Sequence, residues 1–266
     1  MKKITVLTVA IMLMISNLAN AQTTIKAIKE RGFIKVGTSE SIVPFTFKDK
    51  EGKLQGIDID LAKIFAAEMG VEVKFVKIEF ANLMDSLKAG NIDVIFSAFS
   101  ITTSRNMEVL FTQSYYQTGK AILSKKGKLK SGKIKNINNA EVSLVAIKNS
   151  SSADYVKNNF PLAKLTVAET NEKCVELLNS SKADAMVSDI ENCESIYFYS
   201  NLEGNYNYTL FSDNESHQNE SYAAAVSVND FLFYNLLNNF LLKIDKNNEM
   251  NIINQDWYKY TEETKY

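Results

Sequence analysis

"LKAGNIDVIFSAF" (87–99) and "LNSSKADAMVSDI" (178–190) follow one plan. Each closes a helical segment in a turn of small residues, sets down an aspartate (Asp93 or Asp184), and then runs into an apolar strand. Each strand gives out in polar residues, Ser97 and Ser100 in the first copy, Ser188 and Asp189 in the second. Apolar strands alternating with helices belong to parallel or mixed sheets covered on both faces. A plan used twice predicts two α/β lobes.

The flanking sequence extends both copies. "GFIKVGTS" (32–39) and "VEVKFVKI" (71–78) read as strands. Between them, Ile59, Ile64, Phe65 and Met69 fall near helical spacing, with Gly70 where a C-terminal cap belongs. "FANLMDSLKAG" (80–90) reads as a helix with its stop. "AEVSLVAIKNSSSADYVKNNFP" (140–161) restarts the pattern as strand, polar turn and helix, and 164–199 continues it. "SYAAAVSVND" (221–230) reads as a late strand, and 231–260 as amphipathic helix with Trp257 as a packing anchor.

Composition bounds the class. Of 266 residues, 45% are hydrophobic and 23% charged, as in ordinary globular proteins, and the net charge of −1 gives no basic surplus for nucleic acid. "SKKGKLKSGK" (124–133) is lysine-rich, but no aromatic interleaves it and no Gly-x-Gly follows a strand, so it reads as a solvated loop. At the N-terminus two lysines, an apolar stretch from Ile4 to Ile15 and the site Ala19-Asn20-Ala21 form a secretory signal, expected to be cleaved after Ala21. A signal anchor is the alternative. Export permits Cys174 and Cys193 to pair; two separate buried thiols are the other reading. One histidine and two scattered cysteines make no ordinary zinc cage, and no nucleophile–histidine–acid set can be argued from His217, so neither metal nor cofactor is expected.

Ligands of open α/β sheets collect outside the carboxyl ends of strands, and three such ends carry informative residues. Arg105 follows the hydroxyls of Ser100, Thr102, Thr103 and Ser104; its planar fork suits a carboxylate, though pairing with Glu108 is equally open. Ser150, Ser151 and Ser152 precede a helix, where one must cap it and free N–H groups attract an anion. Asp189 offers a carboxylate to an ammonium, or caps the helix starting at Ile190. Guanidinium, helix start and carboxylate together match an amino acid's zwitterion.

From Gly32 to about Tyr258 the chain resembles the periplasmic solute-binding proteins for polar amino acids, family 3. The specific segments are Gly-Ile-Asp-Ile-Asp-Leu-Ala at 56–62 and Ser-Ile-Thr at 100–102 leading to Arg105. The resemblance implies a two-lobed type II periplasmic-binding-protein fold, with two mixed sheets flanked by helices and joined by two hinge strands. It divides the chain into a signal peptide (1–21), lobe 1 (22–114 and 223–266), lobe 2 (120–217) and hinges at 115–119 and 218–222. It implies that Arg105 and Ser100 hold the ligand carboxylate, that Ala98 offers a carbonyl and Asp189 a carboxylate to the ammonium, and that Phe80 packs on the aliphatic stem. Ser150 and Ser151 match the loop completing the carboxylate site, which is one residue shorter here. Relatives that take cationic side chains often carry an acid at the position of Ser39 and an aromatic at that of Ile42, which weakens a lysine or arginine reading, although Glu40 is near. Lys148 matches a lysine that meets polar side chains, so glutamine or glutamate is favoured; a surface lysine is the alternative. His217 reads as a surface residue near the second hinge, a role in the cleft being the alternative. The implied function is a monomeric, non-enzymatic carrier that closes on a polar amino acid and delivers it to the membrane permease of an ABC importer. The alternatives are an exported enzyme on the same fold, similar to cyclohexadienyl dehydratase, and a sensor of amino acids.

Overall fold

A computed structural model describes residues 24–129, 134–199, 206–210 and 220–264. The expected N-terminal signal segment, Lys130–Lys133 of the lysine-rich stretch, His217 and the first two residues of the second expected hinge lie outside the described residues.

The first part of the chain forms helix α1 (Thr24–Arg31), β1 (Phe33–Thr38), β2 (Ser41–Ile42), β3 (Thr46–Lys48), β4 (Leu54–Gln55) and α2 (Ile57–Glu68). β5 (Glu72–Lys77), α3 (Leu83–Lys88), β6 (Val94–Ile95), α4 (Thr103–Asn106), β7 (Val109–Phe111) and β8 (Tyr116–Thr118) follow. The second part holds β9 (Lys120–Lys125), α5 (Ile134–Ile137), β10 (Ser143–Ile147), α6 (Ser151–Asn159), β11 (Lys164–Ala168), α7 (Asn171–Asn179), β12 (Ala185–Asp189), α8 (Ile190–Tyr199) and β13 (Tyr206–Leu210). The chain returns through β14 (Glu220–Tyr222) and β15 (Ala225–Ser227) to α9 (Phe231–Lys246) and α10 (Glu249–Thr264).

Two five-stranded sheets result, in the orders β5-β1-β6-β15-β7 and β11-β10-β12-β9-β13. In each, four strands point one way and one, β15 or β9, runs against them, so that two of the four pairings are parallel and two antiparallel. The repeated aspartate explains the likeness. Asp93 accepts from the backbone N–H of Lys35 on β1, and its own N–H donates to the Lys35 carbonyl at 2.9 Å. Asp184 does the same with Ser143 on β10, accepting at 2.9 Å and donating at 2.8 Å. Each aspartate thus stitches the entry of its strand to the neighbouring parallel strand, where a ladder would otherwise begin with unpaired groups.

Both sheets are buried on both faces, which accounts for their unbroken apolar runs. Ile34, Val36, Phe65, Phe96, Leu237 and Phe240 fill one side of the first sheet, and Leu83, Leu87, Phe99 and Val109 the other. In the second sheet Leu123, Val145, Leu178 and Met186 pack with Cys174 and Cys193, while Leu144, Val156 and Phe160 lie opposite. Of the two readings of the cysteines, the structure holds separate thiols, both buried and free. The turn before α2 requires glycine: Gly56 has φ 127°, and a Cβ there would stand 2.2 Å from the Phe45 carbonyl oxygen. Trp257 anchors α10 as expected, donating from Nε1 to Asp60 at 2.8 Å and meeting Phe47 edge-on.

Only two strands run between the lobes among the described residues. β8 and β14 pair antiparallel, matching Tyr116 to Tyr222 and Thr118 to Glu220. The lobes face each other across this pair.

Candidate functional site

The carboxyl ends of β6, β10 and β12 meet where the lobes face each other. On the first side, the chain leaves β6 through Ala98, whose φ of 46° is uncommon for a residue with a Cβ. Asp58, on α2, accepts from the Ala98 N–H at 2.6 Å and holds that conformation in place. Burial pushes the Asp58 carboxyl up to about 7. Ser100 is fully buried and bridges to Tyr222 of β14. Thr102 caps α4 by accepting from the Arg105 N–H at 3.2 Å, and that short helix aims the Arg105 side chain inward.

Arg105 is 5% exposed, with its guanidinium 4.0 Å above the Phe99 ring and 5.5 Å from that of Phe80. It donates to the carbonyl of Ser100 at 2.8 Å and, across the gap, to that of Asn149 at 2.9 Å. A guanidinium has five N–H donors, so three remain. The alternative partner, Glu108, instead pairs with Lys88 at 2.7 Å, and among the described residues Arg105 has no carboxylate within ion-pair distance. Burial pushes the guanidinium down to about 10, opposed by the negative charges of Asp189, Glu220 and Asp154.

On the second side, Ser150 caps α6 by accepting from the Ala153 N–H at 3.1 Å. Ser151 Oγ and Ser100 Oγ are hydrogen-bonded at 3.1 Å, joining the two lobes. Asp189 ends β12 directly before α8. Its partners are side chains: Lys120 Nζ, Tyr222 OH at 2.8 Å and Ser152 Oγ at 3.5 Å. Phe80 packs against the cores of both lobes.

Arg105, Ser100, Ala98, Phe80, Ser150, Ser151 and Asp189 therefore gather at one place. Ser39 lies beside them, 8% exposed, its N–H and Oγ both bonded to Ser97 Oγ at 3.0 Å. Ile42 belongs to the first lobe's core. Lys148 stands apart: it is exposed and pairs with Glu169 at 3.0 Å, which is the surface-lysine alternative. Glu40 is taken up by Lys48 at 2.8 Å.

The sequence reading missed Lys120, Glu220, Tyr222 and Asn149. Lys120 begins β9 directly opposite Asp189 in register. Its side chain is 1% exposed, and its three ammonium protons go to Asp189, to Glu220 at 2.8 Å and to Ser151 at 2.8 Å. Glu220 also accepts from Ser151 at 3.1 Å. The only prior sign of Lys120 was a cation directly before the apolar run 121–123. A cavity of about 510 Å³ opens beside this cluster, lined by Ser104, Ser151, Asp154, Tyr155 and Glu220. Another of about 530 Å³ lies on the far side of the first lobe, between α1, α2 and α9, remote from these groups. Among the described residues no group of three or more His, Cys, Asp and Glu side chains is placed to hold a metal ion. No described helix is long and apolar enough to cross a membrane.

Known proteins resemble this chain in sequence and fold. An ABC transporter glutamine-binding protein of Bacillus subtilis is 28% identical over 242 residues, covering 89% of this chain and 85% of its own length. Two solved structures superpose with TM-scores of 0.76. One, an ancestral amino acid-binding protein described as a precursor of cyclohexadienyl dehydratase, is 31% identical over 88% of this chain and 99% of its own. The other, an ancestral arginine-binding protein bound to glutamine, is 30% identical over 86% of this chain and 98% of its own. The two-lobed architecture is thus the type II periplasmic-binding-protein fold, and the named relatives are binding proteins for amino acids. Matching over residues 34–260, the chain belongs to the bacterial extracellular solute-binding proteins, family 3.

Proposed function

We propose that this family member captures a polar amino acid between its lobes, with the α-carboxylate on the free donors of Arg105 and the α-ammonium at Asp189. The observation that carries this reading is the convergence of a buried guanidinium from one lobe and a carboxylate from the other at one gap, with hydroxyls of Ser100 and Ser151 between them. β8 and β14 act as the hinge, lobe 1 spans 22–114 with 223–266, and lobe 2 spans 120–217. The chain is exported, with cleavage after Ala21, and passes its cargo to the permease of an ABC importer.

Binding is favoured over catalysis by where the proton-holding acids sit. Burial raises Asp58 and Glu191 to about 7, yet Asp58 holds the Ala98 backbone and Glu191 accepts from the hinge residue Thr118. Both serve the scaffold.

The test is a thermal-shift screen of the mature protein against the twenty amino acids. A ligand at 100 times its Kd stabilises the folded state by about 2.7 kcal/mol, a rise of roughly 5–10 °C for a domain of this size. A melting temperature unmoved by every amino acid refutes the reading.

A further inference from the structure

Four charged side chains meet at the gap, each from a different element: Arg105 from α4, Lys120 from β9, Asp189 from β12 and Glu220 from β14. Two are cations and two are anions. The remaining charges nearby are spoken for. Asp154 pairs with Lys157 at 3.1 Å, Lys148 with Glu169 and Glu40 with Lys48. Glu191 lies behind the hinge against Thr118, its carboxyl raised to about 7 by burial.

Lys120 is the unexpected member. Its three donors are filled by protein groups, so its contribution to a ligand is charge and not a hydrogen bond. Without it, Asp189 and Glu220 would face the gap as two carboxylates against one guanidinium. With it, the set sums to zero. The α-carboxylate and α-ammonium of an amino acid also sum to zero. A further charge on the ligand's side chain meets no uncompensated partner in a buried site, where screening by water is weak.

We propose that Lys120, by neutralising one of these two carboxylates, makes the site selective for amino acids with uncharged polar side chains, of the glutamine class, against both cationic and acidic ones. This rests on the function proposed above and narrows its ligand. It also moves the specificity role from Lys148, which faces solvent, to a lysine buried at the site itself.

Titration calorimetry of the mature protein with glutamine, arginine and glutamate tests it in wild type, Lys120→Gln and Glu220→Gln. The wild type is expected to bind glutamine at least tenfold more tightly than either charged amino acid. Lys120→Gln leaves an excess negative charge and shifts the arginine-to-glutamine affinity ratio tenfold or more towards arginine. Glu220→Gln leaves an excess positive charge and shifts the glutamate-to-glutamine ratio as far towards glutamate. Opposite shifts in ratios are not what general damage to the fold produces. Ratios within threefold of wild type in both variants overturn the proposal. So does a wild type that binds arginine or glutamate as tightly as glutamine, which decides the matter even where a variant fails to fold. A wild type that binds none of the three, and no other amino acid, overturns the proposed function and takes this inference with it.

Discussion

Replacing Arg105 by alanine isolates the strongest claim about the site. The guanidinium has five N–H donors, of which the carbonyls of Ser100 and Asn149 use two, at 2.8 and 2.9 Å. A ligand carboxylate can engage two of the three that remain. Hydrogen bonds to charged groups contribute about 1.5–3 kcal/mol each, so two contribute roughly 3–6 kcal/mol. At about 1.4 kcal/mol per tenfold, Arg105→Ala is expected to weaken amino-acid binding by about 10²–10⁴-fold. Arg105→Lys keeps the charge but replaces the fork by a point charge on a flexible stem, and its affinity should fall between the two. Calorimetric titration with the best ligand of the screen measures both, with circular dichroism and melting curves to establish that the variants are folded. A folded Arg105→Ala protein that binds within about tenfold of wild type would refute the placement of the carboxylate.

Three further outcomes follow from other contacts. Asp189→Ala should weaken binding of an amino acid more than of its 2-oxo analogue, by tenfold or more in calorimetric titration; equal losses would mean that Asp189 does not meet the amine. Stability should fall as pH rises: Glu191 has its carboxyl raised from 4.5 to about 7, so its buried charge costs nothing below about pH 4.5 and reaches its full effect, about 3 kcal/mol, above pH 7. Asp58 acts in the same direction, and Glu191→Gln should therefore raise the melting temperature more at pH 8 than at pH 5, an equal effect at both counting against the charge as the cause. Gly56→Ala forces a Cβ to 2.2 Å from the Phe45 carbonyl oxygen at φ 127°, so its melting temperature should drop by several degrees, and an unchanged value would contradict the turn described.

Local pattern made the lobes legible. The helix, small turn, aspartate and apolar strand of each copy sit within about a dozen residues, and Asp93 and Asp184 turned out to make the same stitch in both sheets. Arg105, Ser100, Ser151 and Asp189 were legible for a related reason, since the ends of strands in such sheets converge. Lys120 and Glu220 were not. Their meaning lies in register: Lys120 counts because β9 pairs antiparallel with β12 so as to set it opposite Asp189, and Glu220 because β14 pairs with β8. Neither pairing is written near the residues it affects. Lys148 failed in the opposite way. It stands one residue before the site's Asn149, but that residue's φ of 57° turns the chain, and the lysine lies exposed against Glu169.

The same geometry bears on how binding and closure are coupled. A ligand shifts a two-state equilibrium only by the difference in its affinity for the two states. One gripped solely by Arg105 and Ser100 would bind an open and a closed protein alike, because both residues belong to the first lobe. Here the groups that complete the site come from elsewhere: Asn149 and Ser151 from the second lobe, Asp189 with its Lys120 counter-ion, and Glu220 from the crossing strand. Arg105 already reaches the Asn149 carbonyl across the gap, so under the proposed function one side chain serves both the carboxylate and the opposite lobe. Occupying its remaining donors with a ligand that also reaches Asp189 adds contacts available only when the lobes are together. Under the proposed function, those contacts convert amino-acid capture into a change of shape that a membrane partner can read.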